Sequence, residues 1–333
     1  MASSRIAGLG VFLPETTRAT AQTERDLRSA NPGLRLATGL IHRLTGVERV
    51  HVRDEGVQTS DLAASASRIA LAESPGPIDL VIFASASQDL IEPATSHILA
   101  AKLGLDCPVM DVKNACNSVL NGLQVADALI AAGQYRRVLV ASGEAPTSGV
   151  RWQLRDSDQF IRSFPGYTMS DGGAAIVLEA VDDPATGILA SSFHAVSHRW
   201  QVGTLPTGGS VNPRGGDDSF FDMDGAALQQ AFLELGPKPV HDLLESSGLG
   251  WHDFDLVAIH QVALPYLPPI FERLGVEPGK SIMIVGDHGN LASVGLPLQL
   301  QQARESGKVG PGSLVLLIGL AGGISLGLMV VRL

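Results

Sequence analysis

Two kinds of polar residue stand where apolar runs of this sequence end, and the first is a cysteine. Cys116 follows the strand-like run Val109–Val112 and a short turn, and a helical stretch begins at about Asn117. The thiol is therefore predicted at a helix N-terminus, where the dipole and free N–H groups favour a thiolate. Such a cysteine can act as a nucleophile, with its own N–H facing an oxyanion. The alternative is a buried structural cysteine, as we expect for Cys107.

The second kind is a pair of neutral hydrogen-bonding side chains. His260 directly follows the apolar run Leu256–Ile259, and Asn290 follows a predicted strand at 281–285. Ligands bind at the carboxyl ends of the strands in open α/β sheets. Although a single histidine is more often structural, we expect Cys116, His260 and Asn290 to form one site.

The elements that must position these residues alternate along the chain. Near-continuous apolar strands between helices are typical of a sheet that is buried on both faces. Because both parts of the chain show this alternation, we predict two similar α/β halves, residues 1–180 and 181–333, and a surface loop at 203–218. The predicted strands are 80–84, 109–112, 138–142, 174–178, 256–259 and 281–285, and the predicted helices are 119–132, 226–244 (interrupted near 237–239), 268–274 and 296–305.

The composition excludes several classes of protein. The chain has 333 residues, enough for about two domains or one fold built twice. Its 45% hydrophobic and 17% charged residues exclude a disordered chain. The net charge of -10 argues against nucleic acid as the partner. Two cysteines are too few for a disulfide framework, and no residues have zinc-ligand spacing, so we expect a cytoplasmic protein without a metal.

The last 21 residues, 313–333, raise the question of a membrane segment. Their length would permit a membrane span. However, glycines at 319, 322, 323 and 327 interrupt the stretch, and its apolar halves have the length of strands. We therefore predict two buried strands joined by a glycine turn, with no membrane association.

A second glycine pattern, Gly8-Leu-Gly10, invites comparison with a dinucleotide-binding loop. Leu13 stands where the third glycine of that fingerprint is required. We therefore interpret the two glycines as a structural turn, and we predict no cofactor.

The motifs around these residues resemble the thiolase superfamily, most closely its β-ketoacyl carrier-protein synthase III branch. The resemblance covers nearly the whole chain and keeps the order Cys116, His260, Asn290. It implies the thiolase fold: two duplicated βαβαβαββ-type halves in a five-layered αβαβα arrangement, assembled as a homodimer. The matching segments are 8–15, 45–47, 114–118, 170–175, 259–261, 288–290 and 320–327.

The resemblance also implies a role for each site residue. Cys116 would accept an acyl group from a carrier thioester, and the N–H groups of Cys116 and Gly322 would form the oxyanion hole. His260 and Asn290 would hold the thioester carbonyl of the second substrate and stabilise its carbanion. Neutral donors in a dry pocket suit this task.

Two departures from the family pattern concern the acyl donor. Leu40 and Leu44 replace the tryptophan and arginine that bind coenzyme A in the branch. Chains bound to an acyl carrier protein are therefore the expected substrates, with coenzyme A thioesters less favoured. Because carrier proteins are acidic, a local basic patch must overcome the net charge of -10. Its candidates, which could equally be solvated surface charge, are Arg151, Arg155, Arg162, Arg199 and Arg214.

A third departure is Glu92, which replaces an apolar residue of the acyl pocket. In the family this loop reaches towards the partner's site, and a glutamate there resembles head-to-head condensing enzymes and the ketosynthases that form α-pyrones. A carboxylate in an apolar tunnel can take a proton from carbon between two carbonyls. We therefore predict Claisen condensation of two (β-keto)acyl chains, as in polyketide metabolism. The alternative for Glu92 is an exposed loop acid before a proline.

Three other functions remain open from the sequence. The first is a decarboxylative synthase that uses a malonyl thioester. The second is an acyltransferase that forms an ester or amide, with His260 as base. The third is a silent partner subunit that only shapes a complex.

Overall fold

The computed structural model describes residues 3–216 and 219–333, in strands and helices that alternate along the chain. The strands are β1 (Ser3–Phe12), β2 (Thr17–Ala19), β3 (Arg49–His51), β4 (Leu80–Ala84), β5 (Val109–Val112), β6 (Arg137–Glu144), β7 (Gly172–Val181), β8 (Gly187–Ala195), β9 (Gly203–Thr204), β10 (Asp222–Met223), β11 (Leu256–Ile259), β12 (Leu314–Ala321) and β13 (Ser325–Arg332). The helices are α1 (Thr20–Ala30), α2 (Leu40–Thr45), α3 (Thr59–Glu73), α4 (Thr95–Leu103), α5 (Ser118–Ala131), α6 (Ser157–Ser163), α7 (Gly225–Leu235), α8 (Lys238–Ser247), α9 (Leu267–Leu274), α10 (Val285–His288) and α11 (Gly295–Glu305).

Most of the strands form two large sheets of related topology, and β2–β3 and β9–β10 are separate two-stranded pairs. The first has the order β1-β7-β6-β4-β5, and the second has the order β11-β12-β13-β8. Strand β4 runs parallel to β6 as β11 runs parallel to β12, and β7 and β13 are antiparallel to their neighbours. The chain passes from the first sheet to the second between the end of β7 and the start of β8 at Gly187. This crossing lies just after the predicted boundary at residue 180.

Helices lie between the two sheets and on both outer faces. Apolar residues of α5 and α11 pack against strands of both sheets and form the central layer. On one outer face, alanines of α3 and Leu99 of α4 cover the first sheet. On the other, α8 and α9 cover the second sheet with larger side chains such as Leu244 and Phe271. The prediction of an αβαβα arrangement of five layers is therefore confirmed.

The C-terminal stretch forms a buried antiparallel hairpin, as predicted. Strands β12 and β13 pair from Leu314 with Arg332 to Ala321 with Ser325, and the glycine turn lies between them. Within residues 3–216 and 219–333, no helix has the length and hydropathy needed to cross a membrane.

The prediction of a turn at Gly8 and Gly10 was wrong. Both glycines lie inside β1, where α3 crosses in direct contact with the strand. An added Cβ would lie 2.3 Å from the Ala70 carbonyl oxygen at Gly8 and 2.2 Å from that of Ala66 at Gly10. The glycines are needed because a helix backbone approaches the strand so closely.

The predicted strand at 281–285 was also wrong. A side chain takes the hydrogen bonds of this segment: Gln261 Oε1 accepts from Ile284 N at 2.9 Å and Val285 N at 3.1 Å, and Gln261 Nε2 donates to the Ile282 oxygen at 2.6 Å. A short helix, α10, follows instead. The predicted loop 203–218 begins with β9, which pairs with β10 beyond the end of the loop. Positions 217 and 218 lie outside the described residues.

Candidate active site

Cys116 lies in a tight turn between β5 and α5. Ala115 has a φ of 45°, a value that is uncommon for a residue with a side chain. The turn is closed by main-chain bonds from Asn117 N to the Asn114 oxygen at 2.9 Å and from Ser118 N to the Ala115 oxygen at 3.1 Å. These bonds fix the cysteine just before the helix, which begins at Ser118, one residue later than predicted.

A contact between the two halves places this turn against the glycine hairpin. Asn117 Nδ2 donates to Ser325 Oγ at 2.9 Å and to the Ser325 carbonyl oxygen at 3.2 Å. A Cβ on Gly319 would lie 2.0 Å from Asn117 Oδ1, so glycine is required where β12 meets α5. The hairpin turn that carries Gly322 therefore lies next to the cysteine turn. Gly323, with a φ of 116°, is the residue of this turn that adopts the conformation reserved for glycine.

His260 continues the ladder of β11 and carries a buried imidazole. Its N–H donates to the Ile318 oxygen of β12 at 2.8 Å, and the residue is 5% exposed. Burial lowers the pKa of His260 to about 4. The ring is therefore neutral near pH 7 and has one N–H to donate.

Asn290 is held on both sides by the segment before β7. Its N–H donates to the Thr168 oxygen at 2.8 Å, and its carbonyl oxygen accepts from Ser170 N at 3.0 Å. Within its side chain, Oδ1 accepts from Ala292 N at 3.0 Å. Because the oxygen is occupied in this way, the amide nitrogen is the group that faces away from the turn and can donate to a ligand.

The resting cysteine is a thiol, and the expectation that its helix end would favour a thiolate was wrong. Burial, followed by the negative charge of Glu144, raises the pKa of Cys116 to about 12. The side chain is nonetheless partly exposed in the single chain. The loss of solvation and the negative charge of Glu144 outweigh the backbone hydrogen bond at Cys116, which lowers the pKa.

Glu144, which sequence reasoning missed, lies at the end of β6 and is 1% exposed. Its carboxylate accepts hydrogen bonds from Ser293 Oγ at 2.5 Å, Ala86 N at 3.0 Å and Ser87 Oγ at 3.1 Å. Burial raises the pKa of Glu144, and these bonds lower it in part. The signal available in the sequence was a lone acid at the end of an apolar strand. Glu144 joins the loop after β4 to the turn that follows Asn290.

Glu92 lies in an exposed loop between β4 and α4. Its neighbours Leu90 and Ile91 are 51% and 69% exposed. Ile91 in this loop lies beside Gly208, and Glu92 itself is exposed in the single chain. In one chain its carboxylate is therefore in solvent, as the alternative of an exposed loop acid predicts.

Part of the predicted basic patch lines a cavity of about 620 Å³. The Arg151 guanidinium lies 4.6 Å from the centre of the Phe220 ring. Arg162 pairs with Asp222, and Arg199 with Glu234, so some of this charge is compensated. The patch residues in the cavity wall are Arg151, Arg155 and Arg162; Arg214 is exposed.

Comparison with known families and proteins gives consistent matches. The family model for 3-oxoacyl-[acyl-carrier-protein (ACP)] synthase III matches residues 110–197, and the model for its C-terminal part matches residues 244–333. The β-ketoacyl-[acyl-carrier-protein] synthase III of Bordetella petrii is 31% identical over 335 residues, covering 98% of this chain and 97% of that protein. The corresponding protein of Cereibacter sphaeroides is 30% identical over 335 residues and 98% of both chains.

Two solved structures show the same arrangement at lower identity. The 3-oxoacyl-[acyl-carrier-protein] synthase III of Aquifex aeolicus has a TM-score of 0.85 and 22% identity, with 99% of this chain and 100% of that chain covered. OleA of Xanthomonas campestris, with bound lauric acid and lauroyl-CoA, has a TM-score of 0.89 and 24% identity over 99% of both chains. At these identities the likeness concerns the fold.

Proposed function

Because this chain belongs to the β-ketoacyl-[acyl-carrier-protein] synthase III family and has the thiolase fold, we propose which condensation it performs. Members of this family are acyl-transferring condensing enzymes, and the chain is one of them. The reaction proposed is head-to-head: two (β-keto)acyl chains, each bound to a carrier protein, are joined by a Claisen condensation, with lactonisation to an α-pyrone as the fate of a suitable product.

The first step is acylation of Cys116. The thiol sulfur attacks the carrier thioester, the bond between the acyl carbon and the carrier sulfur breaks, and the thiol proton passes to the departing carrier thiolate. The N–H groups of Cys116 and Gly322 hold the oxyanion. The contact between Asn117 and Ser325 supports this role, because it brings the two turns together.

The second step forms the carbon–carbon bond. Glu92 of the partner subunit takes a proton from the carbon between the two carbonyls of the second chain, and His260 and Asn290 hold the resulting enolate oxygen. The carbanion attacks the acyl-cysteine, the bond from the acyl carbon to sulfur breaks, and the Cys116 sulfur recovers the proton from Glu92. Because a base makes the carbanion, no carbon dioxide is lost.

The observation that carries the condensation is the neutral state of His260. A histidine with a pKa of about 4 is a poor base for an alcohol or amine, so it disfavours transfer to an ester or amide. As a neutral donor, acting together with the Asn290 amide, it suits an enolate oxygen.

The proposed homodimer is supported by the edge of the first sheet. Strand β5 is the edge strand of this sheet, and Met110 and Val112 on it are half-buried in one chain. An edge strand with unpaired main-chain groups pairs readily with a second copy. Glu92 precedes the helix that packs against β5, so this pairing would bring the exposed loop to the partner's site.

Mixed dimers test the base role of Glu92 in trans. Cys116→Ala and Glu92→Gln proteins are each expected to condense no chains, whereas a purified mixed dimer regains one intact site and about half of the native rate. Intact-mass measurement is expected to show that Glu92→Gln still gains one acyl group and that Cys116→Ala does not.

Other outcomes of the same assay select the alternatives. Carbon dioxide released in a one-to-one ratio with product from a malonyl thioester would select the decarboxylative synthase. An inactive mixed dimer would mean that Glu92 acts within its own subunit, and condensation by Glu92→Gln protein would place the base elsewhere. The absence of any acyl adduct would select the silent subunit.

Leu40 and Leu44 support the proposal that the acyl donor is bound to a carrier protein rather than to coenzyme A. Leu44 is 53% exposed and offers no charge to a nucleotide phosphate. We expect the kcat/KM for a lauroyl carrier protein to exceed that for lauroyl-CoA, the thioester present in the OleA structure. Equal values would remove the preference without affecting the acylation of Cys116.

A further inference from the structure

Gln261 directly follows His260 and takes no part in the two proposed steps, yet its amide holds a segment of main chain that lies outside the sheets. The residue is 4% exposed. Its Oε1 accepts from Ile284 N at 2.9 Å and Val285 N at 3.1 Å, and its Nε2 donates to the Ile282 oxygen at 2.6 Å. The amide fits in one orientation, because a flipped amide would turn its NH2 group towards two N–H donors. Gln261 therefore fixes this segment at three points.

The hydrogen bonds continue from Gln261 to Asn290 through the single turn of α10. The two residues whose N–H groups bond to Gln261 accept hydrogen bonds in their turn: their carbonyl oxygens receive His288 N at 3.0 Å and Gly289 N at 2.9 Å. Asn290 is the next residue of the chain. A path of covalent and hydrogen bonds thus runs from His260 through Gln261 and one helical turn to Asn290.

The two neutral donors of the site have different supports. His260 continues the ladder of β11 through its main chain, whereas Asn290 follows α10, outside the sheets. Glu48 N donates to the Gly286 oxygen at 2.8 Å and ties α10 to the segment before β3. Gln261 instead ties the start of α10 to the end of β11, next to His260. The support of the second donor is therefore linked to the first through Gln261.

We propose that Gln261 is a positioning residue that fixes Asn290 relative to His260, so that both side chains donate to the same enolate oxygen. Donors that are held in place before the substrate binds need no reorganisation during the reaction. A misplacement of about 1 Å can cost about 100-fold in rate. The inference rests on the second step of the proposed function, because the acylation of Cys116 uses neither His260 nor Asn290.

Two substitutions at Gln261 grade the loss of this support. Gln261→Leu keeps the approximate size of the side chain and removes all three hydrogen bonds. Gln261→Glu keeps an oxygen that can accept from both N–H groups in either protonation state, and its ionised form loses the donor to the Ile282 oxygen. We therefore expect Gln261→Glu to lie between Gln261→Leu and the native protein.

Asp79 offers a matched control at the opposite end of the first sheet. Its Oδ2 also accepts from two consecutive main-chain N–H groups, those of Arg136 and Arg137, at 2.9 Å each. Asp79 directly precedes β4, whereas Cys116 follows the other end of β5, which runs parallel to β4. Asp79→Leu therefore removes the same kind of support far from the site.

The kinetic test compares two rates for each variant. Intact mass follows the acylation of Cys116 by a lauroyl carrier protein, and product formation follows the condensation of a β-ketoacyl carrier protein with the acyl-enzyme. We expect Gln261→Leu to acylate at the native rate and to condense at least about tenfold more slowly. Asp79→Leu is expected to keep the native ratio of the two rates. A merely structural role of Gln261 would lower both rates together.

Hydrogen exchange of residues 282–290 reports the support itself, without any substrate. We expect exchange in Gln261→Leu to be at least about tenfold faster than in the native protein, because two buried N–H groups lose their acceptor. Asp79→Leu is expected to exchange like the native protein in this segment and faster at residues 136–137.

Each result bears on one part of the proposal. A native ratio of the two rates in Gln261→Leu, or an equal fall of both, would overturn the positioning of Asn290, and native exchange would overturn the support. If Gln261→Leu does not fold, Gln261→Asn, which is one methylene shorter, is held to the same outcomes. A native acyl-enzyme that condenses no second chain would instead overturn the proposed function, and the kinetic part of this inference with it, before any variant is compared.

Discussion

Strands β4 and β11 occupy equivalent positions in the two sheets, but different groups satisfy their outer edges. Strand β4 pairs through its main chain on both sides, with β6 and with β5. Among the described residues, β11 pairs with β12, and side chains satisfy its other edge. Gln299 Oε1 accepts from Ile259 N at 3.2 Å, Gln299 Nε2 donates to the Ile259 oxygen at 3.0 Å, and Ser281 Oγ donates to the Val257 oxygen at 2.5 Å.

This difference shows how the edge of each sheet is related to the segment that carries a site residue. The first half keeps β5, an edge strand whose end leads to the cysteine turn. In the second half, the segment at 281–285 is free of the sheet and continues into the turn that carries Asn290. A sheet can thus release a segment for the site, provided that side chains replace the missing ladder.

Among substitutions that remove the side-chain bonds to the outer edge of β11, we expect the largest loss of stability at Gln299. Gln299→Leu keeps the size of the side chain but leaves the Ile259 N–H and carbonyl buried without a partner. At about 1–3 kcal/mol for each of the two unpaired groups, the free energy of unfolding should fall by about 2–6 kcal/mol. Urea denaturation measures this loss.

Gln301→Leu, on the same helix, is the matched control. Gln301 Nε2 bonds to the exposed Glu305 side chain, so the expected change is within about 0.5 kcal/mol. Equal stability of the two variants would mean that the edge of β11 does not depend on a side chain.

The same two edges explain which elements the sequence predicts. Strands β4, β5, β6 and β11 follow from apolar runs of the right length, and polar residues at their ends mark Cys116 and His260 as site candidates. The run at 281–285 has the same pattern, and its hydrogen bonds go to Gln261, about 20 residues earlier in the chain. Periodicity reports burial and cannot show which group completes a ladder.

The protonation state of Cys116 cannot be predicted from the sequence for a similar reason. A helix N-terminus is visible in the pattern, whereas the burial of the thiol and the charge of Glu144 arise from packing between distant segments. The need for Gly8 and Gly10 also comes from packing, because α3 begins about 50 residues after β1. Local patterns predict elements, and these contacts depend on how the elements meet.

A histidine pair, His51 and His288, holds the turn that leads to Asn290 in the second half. We expect this part of the protein to lose stability in acid. His51 Nε2 and His288 Nδ1 are 3.0 Å apart, and the His51 Nδ1 lies 2.7 Å from the Pro14 oxygen, to which it must donate. With both rings neutral, His288 donates to His51, and its Nε2 lies 3.3 Å from Gln302 Nε2, from which it accepts. The groups that face the pair are Arg49, Asp171 and Asp287.

The sign of the pH dependence follows from this neutral pair. Burial lowers the pKa of both histidines below the usual 6.5, so the unfolded chain takes up protons first as the pH falls. The pair therefore contributes stability above about pH 6.5, and this contribution is lost as the pH falls towards the lowered pKa values. His288→Gln should flatten the dependence of the free energy of unfolding on pH between 5 and 7. A slope equal to that of the native protein would assign the acid sensitivity to other groups, among them His260.

The smallest expected effect is at the second side chain on the edge of β11. Ser281→Ala removes the bond to the Val257 oxygen, but Ser281 is half-buried, so water can reach the carbonyl in its place. We expect a loss of about 1 kcal/mol, the net value of an ordinary hydrogen bond, by urea denaturation. Ser306→Ala is the control, since Ser306 Oγ also donates to a main-chain oxygen, that of Gln302 at 2.7 Å, at an exposed helix end. A loss at Ser281 as large as that of Gln299→Leu would mean that the whole outer edge of β11 is closed to water, as β5 closes the edge of β4.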